Sequence, residues 1–396
     1  MRRVLPLILA CCLTPAFGQT VVVLPFFNLS DSPSLDWIGE SVAETVRETL
    51  DMENVLVLDR ESRAEAYRRL AIRPYVELTR ASVIKLGELL DAERVVYGSF
   101  KVSQTPAETS SGAGGSLELT ARMLDLRQLK QSPEESARGP LQDLDVVQEK
   151  LAWQLLGRLL PPERVPSEEQ FQGRRKPVRL DALENYIRGL LAASPEQQHR
   201  YFTQAARLGE GFSQPCFQLG RLQWSAKDYK VATGWFERVK PGDPHYLESR
   251  FFLGLSRYYL GEYAKAQEAF QQVVAHLPLN EVWNNLGAAQ SRRDAPEAVE
   301  SFRKAVAGDP NDPTYRFNLG YALWKRGDYD AGAEEMRAAL RASPEDPQAT
   351  LVLGRCLNKT LARRTETLIE GFERIKTNYE EMAYRQLRAT LAPRAK

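Results

Sequence analysis

The sequence predicts an α+β/α multidomain protein in which a small α/β sheet domain is followed by an all-α superhelix, or solenoid. The first observation is a period. Leu219-Gly220, Leu253-Gly254, Leu286-Gly287, Leu319-Gly320 and Leu353-Gly354 follow one another at intervals of 34, 33, 33 and 34 residues. Such self-similarity marks stacked units, none of which can bury its apolar face alone. The second is a Val-rich run, Thr20–Phe26, that opens an alternation of strand-like and helix-period stretches. The third is Pro161-Pro162, which ends a long amphipathic helix and leads into a charged stretch, Glu163–Arg179.

Within each period other positions recur in step. An aromatic residue follows the Leu-Gly pair after a turn (Tyr229, Tyr263, Tyr329). Then come a small residue (Ala232, Ala266, Ala298, Gly332), a large one (Phe236, Phe270, Phe302, Met336) and a proline (Pro244, Pro278, Pro310, Pro344). The glycine and the small residue leave room where two helices cross, the large side chain fills the gap to the next unit, and the proline stops the second helix. This register resembles the tetratricopeptide repeat (TPR), two antiparallel helices per unit. Ala182–Phe212, with Gly189, Phe202 and Ala205, reads as a shortened first copy.

The amino-terminal part reads element by element. Thr20–Phe26 is a buried strand and Leu35–Met52 a helix with Ile38, Val42, Val46 and Leu50 on one face. Val55–Leu58 is a second strand, and Ser62–Leu70 and Thr79–Leu90 are helices. Arg94–Val102 and Leu117–Asp125 form a hairpin around a polar loop, Gln104–Gly115. A strand near Lys130–Arg138 and a helix over Asp143–Leu160 complete it. This order, with Val22-Val23-Leu24-Pro25-Phe26-Phe27-Asn28 and Val95-Val96-Tyr97-Gly98-Ser99-Phe100, resembles the TolB amino-terminal-like domain. Related domains occur in CsgG-like exported proteins, and the resemblance implies a bacterial envelope protein. The β-propeller of TolB itself has no counterpart here.

Met1–Gly18 reads as a secretory leader: Arg2 and Arg3, an apolar run from Val4 to Leu13, and small residues at Ala16 and Gly18. Cleavage after Gly18 releases a periplasmic chain. A second reading acylates Cys11 within Ile8-Leu9-Ala10-Cys11 to give an anchored lipoprotein, but it requires an unusually short apolar region. The chain thus divides into leader (1–18), α/β domain (19–162), linker (163–180), repeat array (181–360) and carboxy-terminal capping helices (361–396). Past the leader only Cys216 and Cys356 remain. They lie four repeats apart, too far for a bond that needs Cα atoms within about 7 Å, and read as buried free thiols.

No catalytic, cofactor or metal motif stands. Gly112-Ala-Gly114-Gly115 has strands on both sides rather than a helix after it, so it is a hairpin tip and not a phosphate loop. His199, His245 and His276 lie in different repeats without ligand partners at metal spacing. Ser30 has no partner base, and Glu61, Glu65 and Arg69 read as a solvated helix face. The 53 basic and 52 acidic residues leave no field for nucleic acid. The partner is therefore expected to be a protein or peptide, with no nucleic acid and no small-molecule substrate, and an association with outer-membrane components is open.

The repeat resemblance implies that the first helix of each unit lines a concave groove. With the Leu-Gly pair as positions 7 and 8, positions 2, 5, 9 and 12 point inward. This places Phe217, Arg221 and Trp224 there from one copy, Phe251 and Tyr258 from the next, Asn284 from the third, Phe317, Tyr321 and Trp324 from the fourth, and Arg355 from the last. The carboxylate clamp of some such repeats is absent, because Arg221, Asn284 and Arg355 are not adjacent. The set has the aromatic and Arg content of an interface core. Either a partner covers these rings, or the amino-terminal domain or the last helices do. Leu368, Phe372, Ile375, Tyr379 and Met382 step by four and three, the face of a helix that caps the array or binds a partner. The expectation is an exported, non-enzymatic adaptor or scaffold. A component of an outer-membrane export or assembly complex and a sensory module are the alternatives.

Overall fold

The computed structural model describes residues 20–103, 115–172, 177–361 and 371–380, with the isolated positions 383, 384, 387 and 391. The leader with Cys11 and Gly18, the loop 104–114, and Leu368 and Met382 lie outside the described residues. Two compact units divide the chain. One takes the described residues up to Val102 with Glu118–Arg138 and Gln148–Leu159. The other takes Gly139–Val147, the described residues from Leu160 onward, and the remainder of the 103–117 segment.

The first unit is built on a mixed sheet. β1 (Val21–Val23) and β2 (Phe27–Asn28) both run parallel to β3 (Arg94–Ser103), in the registers Val22↔Val95 and Phe27↔Ser99. β3 neighbours β4 (Ser116–Asp125), which pairs β5 (Lys130–Gln131) and β6 (Glu135–Pro140). The strand expected over Thr20–Phe26 is limited to Val21–Val23, and parallel pairing with β3 resumes only beyond it at β2, because Pro25 has no N–H to give the ladder. Val55–Leu58 contributes only the bridge Val57↔Val21. The single strand expected near Lys130–Arg138 is two. The helices α1 (Trp37–Met52), α2 (Arg60–Arg69), α3 (Arg80–Leu89) and α4 (Leu144–Leu159) fall where the 3.6-residue period places them. Asp59 and Thr79 cap α2 and α3 by accepting from Ser62 N and Ser82 N. Val22, Val95, Leu86 and Leu124 share one apolar cluster. Arg63 is buried beside them, donates to the Val23 carbonyl at 2.9 Å and pairs with Glu40 and Glu44 of α1. Glu65 and Arg69 pair at 2.8 Å on the exposed face, as the pattern implied.

In the second unit the linker holds a short helix, α5 (Glu168–Gln172), with Phe171 buried. Helix pairs follow: α6 (Leu180–Leu191) with α7 (Pro195–Leu208), α8 (Gln214–Ser225) with α9 (Tyr229–Phe236), and α10 (Tyr246–Tyr259) with α11 (Tyr263–Val274). After them come α12 (Asn280–Ser291) with α13 (Ala298–Gly308), α14 (Pro313–Lys325) with α15 (Tyr329–Ala342), and the first helix of a further unit, α16 (Pro347–Leu357). A methyl group on Gly220, Gly254 or Gly287 would come within 2.5, 2.6 or 2.8 Å of the ring of Phe236, Phe270 or Phe302. The large side chain therefore seats on the glycine of its own unit as well as facing the next, where the Phe236 ring stacks 6.0 Å from Phe252. Between paired helices the chain turns through a left-handed residue, Gly261 and Gly327 in two units and Lys227 and Asp294 in two others.

Candidate peptide-binding groove

Residues 371–380 lie along the first helices of the array, and they are not helical. The carboxamide of Asn318 on α14 accepts from Arg374 N at 2.8 Å and donates to Arg374 O at 2.7 Å. Asn285 on α12 does the same for Lys376, at 2.9 and 2.7 Å. Asn284 adds a donor to Arg374 O at 2.8 Å and accepts from Asn318 at 2.7 Å. Each carboxamide thus stands in for the peptide unit of a neighbouring strand. Reading residues 374 and 376 from one side is the period of an extended chain. All three asparagines are fully buried.

The side chains of this segment have matched walls. The Arg374 guanidinium forms two bonds to Asp346, at 2.6 and 2.8 Å, one to Gln348, and lies 3.6 Å from the centre of the Phe317 ring. That pairing holds the Asp346 carboxyl below its ordinary value. Lys376 reaches Asp312 at 2.6 Å and the Tyr315 ring. Asp312 and Asp346 also cap α14 and α16, so the same residues that start the helices hold the two cations. Glu373 is buried, with Ser291 donating at 2.6 Å and Lys325 and Arg292 within 3.7 and 3.8 Å. Burial and the nearby Glu373 charge push the Tyr258 and Tyr321 hydroxyls well above the usual tyrosine value. Phe372 packs on the cluster of Phe317, Tyr321 and Trp324, and Ile375 touches the clusters of α10–α14. Tyr379 meets Phe251 edge-on at 5.4 Å and donates to Glu248. The segment runs from the last unit back toward the first. Beyond it Tyr384 N bonds Glu380 O at 2.9 Å, a helical turn, and Tyr384 and Leu387 pack on the cluster that contains Phe217 and Phe251.

These contacts revise the expected site. Phe251, Asn284, Phe317 and Tyr321 do face the groove, but they are buried beneath the chain's own residues 371–380 and are not open anchors. Trp324 is also buried and donates to the Thr360 carbonyl at 2.9 Å. Phe217 is buried and stacks on His245 at 4.4 Å. Arg221 lies over Phe252, Trp224 meets Phe252 edge-on, and Tyr258 packs on Tyr263. Arg355, on α16, is half-buried. The helix expected through Phe372, Ile375 and Tyr379 does not form. Gly371 is in a left-handed turn, Thr377 and Asn378 favour helices poorly, and the main-chain groups of Arg374 and Lys376 are engaged by Asn318 and Asn285. Asn285 and Asn318 escaped the sequence reading because they stand one place before the Leu-Gly pair. The recurrence of Asn-Leu-Gly in both copies was the signal for them.

The tetratricopeptide-repeat family matches residues 253–313 and 317–361. Residues 253–361 of the array are thus tetratricopeptide repeats. Anaphase-promoting complex subunit 6 of Arabidopsis thaliana is 26% identical over 185 residues, 44% of this chain and 34% of that protein. Bacteriophage adsorption protein A of Escherichia coli K12 is 36% identical over 58 residues, 15% of this chain and 6% of that protein. The chain therefore spans about a third or less of the length of these curated relatives. Among solved structures, MamA residues 41 to the end from Desulfovibrio magneticus RS-1 is 25% identical, covering 40% of this chain and 92% of that one, with a TM-score of 0.37. YrrB, described as a TPR protein with an unusual peptide-binding site, is 19% identical, covering 40% and 82%, with a TM-score of 0.36.

Cys216 and Cys356 are free and buried, and burial raises both thiols, Cys356 to about 11. His245 contacts Glu248, and His276 contacts the Gln272 carbonyl. Among the described residues no group of three His, Cys, Asp or Glu is placed to hold a metal, and no helix is long and apolar enough to cross a membrane.

Proposed function

We propose that this protein is an exported, non-enzymatic scaffold that holds protein partners in the cell envelope, with the repeat groove as its main binding surface. The observation that carries this reading is the bidentate grip of Asn285 and Asn318 on the main chain of an extended segment. A surface that reads backbone from side chains takes peptide segments, as in strand addition, where main-chain bonds give affinity and pockets give specificity. Tetratricopeptide repeats act as protein-interaction scaffolds, and one relative is named as the subunit of a complex. The leader Met1–Gly18 and the TolB-like order of the first unit support a periplasmic site of action, with the α/β domain as a second contact surface.

Two measurements test the proposal. The intact mass of chain recovered from the envelope of producing cells should correspond to a start at Gln19. A start at acylated Cys11 would replace the soluble form with an anchored one, and a full-length cytosolic chain would remove the envelope role. Affinity capture from the same envelopes should retain a partner with the full chain and lose it with Asn285→Ala plus Asn318→Ala. Retention of the same partner by that variant would move the binding surface away from the groove.

A further inference from the structure

Residues 371–380 report what the groove is built to hold. We infer that it recognises an extended protein segment carrying the order aromatic, acidic, basic, aliphatic, basic, and that Phe372–Lys376 is the chain's own copy of that ligand, in competition with the partner's. The inference rests on the scaffold reading above and specifies its ligand.

The groove has five consecutive subsites of different chemistry. The ring of Phe372 enters the cluster of Phe317, Tyr321 and Trp324. The carboxylate of Glu373 is buried among Ser291, Arg292 and Lys325, and its Oε2 has no hydrogen-bond donor among the described residues. The guanidinium of Arg374 forks onto Asp346 above the Phe317 face. Ile375 packs against the apolar clusters of α10 to α14. Lys376 closes the row on Asp312. The asparagines hold the main chain whatever the side chains are, so these five walls must supply the selectivity.

A segment that only sealed the array would not need this chemistry. Taking a carboxylate out of water costs more than an apolar cap would, and buried ion pairs are better at fixing register than at adding stability. Three charged side chains, Glu373, Arg374 and Lys376, each facing an opposite charge at the end of a different helix, fix the register of one strand and reject strands with the charges displaced. A tethered copy of a ligand also acts at high effective concentration, so it lowers the apparent affinity for a free competitor by the fraction of time the groove is open.

The test uses the full chain and a fluorescein-labelled synthetic peptide with the sequence of Gly371–Glu380. In one variant the internal copy is released by Phe372→Asp with Ile375→Asp. The released chain should bind the peptide at least about tenfold more tightly than the wild-type chain does by fluorescence anisotropy. A peptide with its Glu and Arg exchanged should bind at least about tenfold more weakly. Equal binding of both peptides, or none to a released chain whose circular dichroism is unchanged, overturns the inference. If the released variant fails to fold, hydrogen exchange on the wild-type chain decides. Saturating peptide should speed exchange at the Arg374 and Lys376 amides, and no change at saturation counts against displacement. A wild-type dimer by light scattering that the released variant loses would make the occupant a second copy of this chain and overturn the partner assignment. Capture of an envelope partner through Asn285 and Asn318, with no binding of this peptide, would sink the ligand order and leave the scaffold reading intact.

Discussion

The two ends of the groove follow one repeat plan but carry different floors. At the α12–α14 end the residue before the Leu-Gly pair is Asn285 or Asn318, and both bond the main chain of residues 374 and 376. At the α8–α10 end the same place holds Gln218 and Phe252. Phe252 stacks with Phe236, meets Trp224 and Phe251 edge-on, and carries the Arg221 guanidinium 4.1 Å from its ring centre. The aromatic end thus uses its rings largely to pack neighbouring units together, while the amide end presents groups that the extended main chain of residues 374 and 376 satisfies. Aromatic content alone does not mark a ligand surface in a stacked array, because the inner helices also need large side chains against each other. Paired carboxamides do mark one, since they would be costly to bury without the strand they hold.

Trp324→Ala should make the largest difference between the ends. Trp324 is buried with its N–H bonded, so truncation should cost about 3–5 kcal/mol in denaturant unfolding, whereas half-buried Trp224→Ala should cost less than half as much. Equal losses would mean that both ends are core to the same degree. Next in size is Gly254→Ala, which drives a methyl group to 2.6 Å from the Phe270 ring and should cost about 1–3 kcal/mol. A neutral result there would show that the helix pair can spread without loss.

The amide end can be broken on its own. Asn285→Ala with Asn318→Ala removes both bidentate grips, so amide exchange at Arg374 and Lys376 should rise about tenfold or more, with the melting temperature falling far less than in Trp324→Ala. Unchanged exchange would assign the hold to the side-chain subsites instead. The smallest expected effect is of acid. Asp346 titrates below its ordinary 3.8 because Arg374 bonds it. Its contribution to holding the segment is fully present above pH 3.8 and lost as pH falls through the lowered value. Exchange at Arg374 should therefore rise, after correction for the intrinsic rate, as pH falls through the lowered value, and Asp346→Asn should reduce that acid-dependent rise.

Much of this protein was legible from its residues alone. A strict period with glycine, alanine, aromatic and proline in register can be satisfied by one architecture, because each residue type answers a local steric demand. Gly220 must lie beneath Phe236, and the helices α13 and α15 must end before Pro310 and Pro344. The helices α1, α3 and α4 were equally visible, since their apolar faces keep a 3.6-residue period. Local order also favoured a helix for Phe372, Ile375 and Tyr379, and there the tertiary structure decided otherwise. The main-chain groups that a helix would have used internally find better partners on Asn285 and Asn318, about ninety and fifty-six residues away in sequence. The Pro25 break between two short strands was decided by one missing N–H within the sheet. Sequence by itself determined what repeats, because repetition is enforced by contacts between near neighbours in the chain. Only the folded array decided what fills the groove, because that depends on donors and charges brought together from four separate helices.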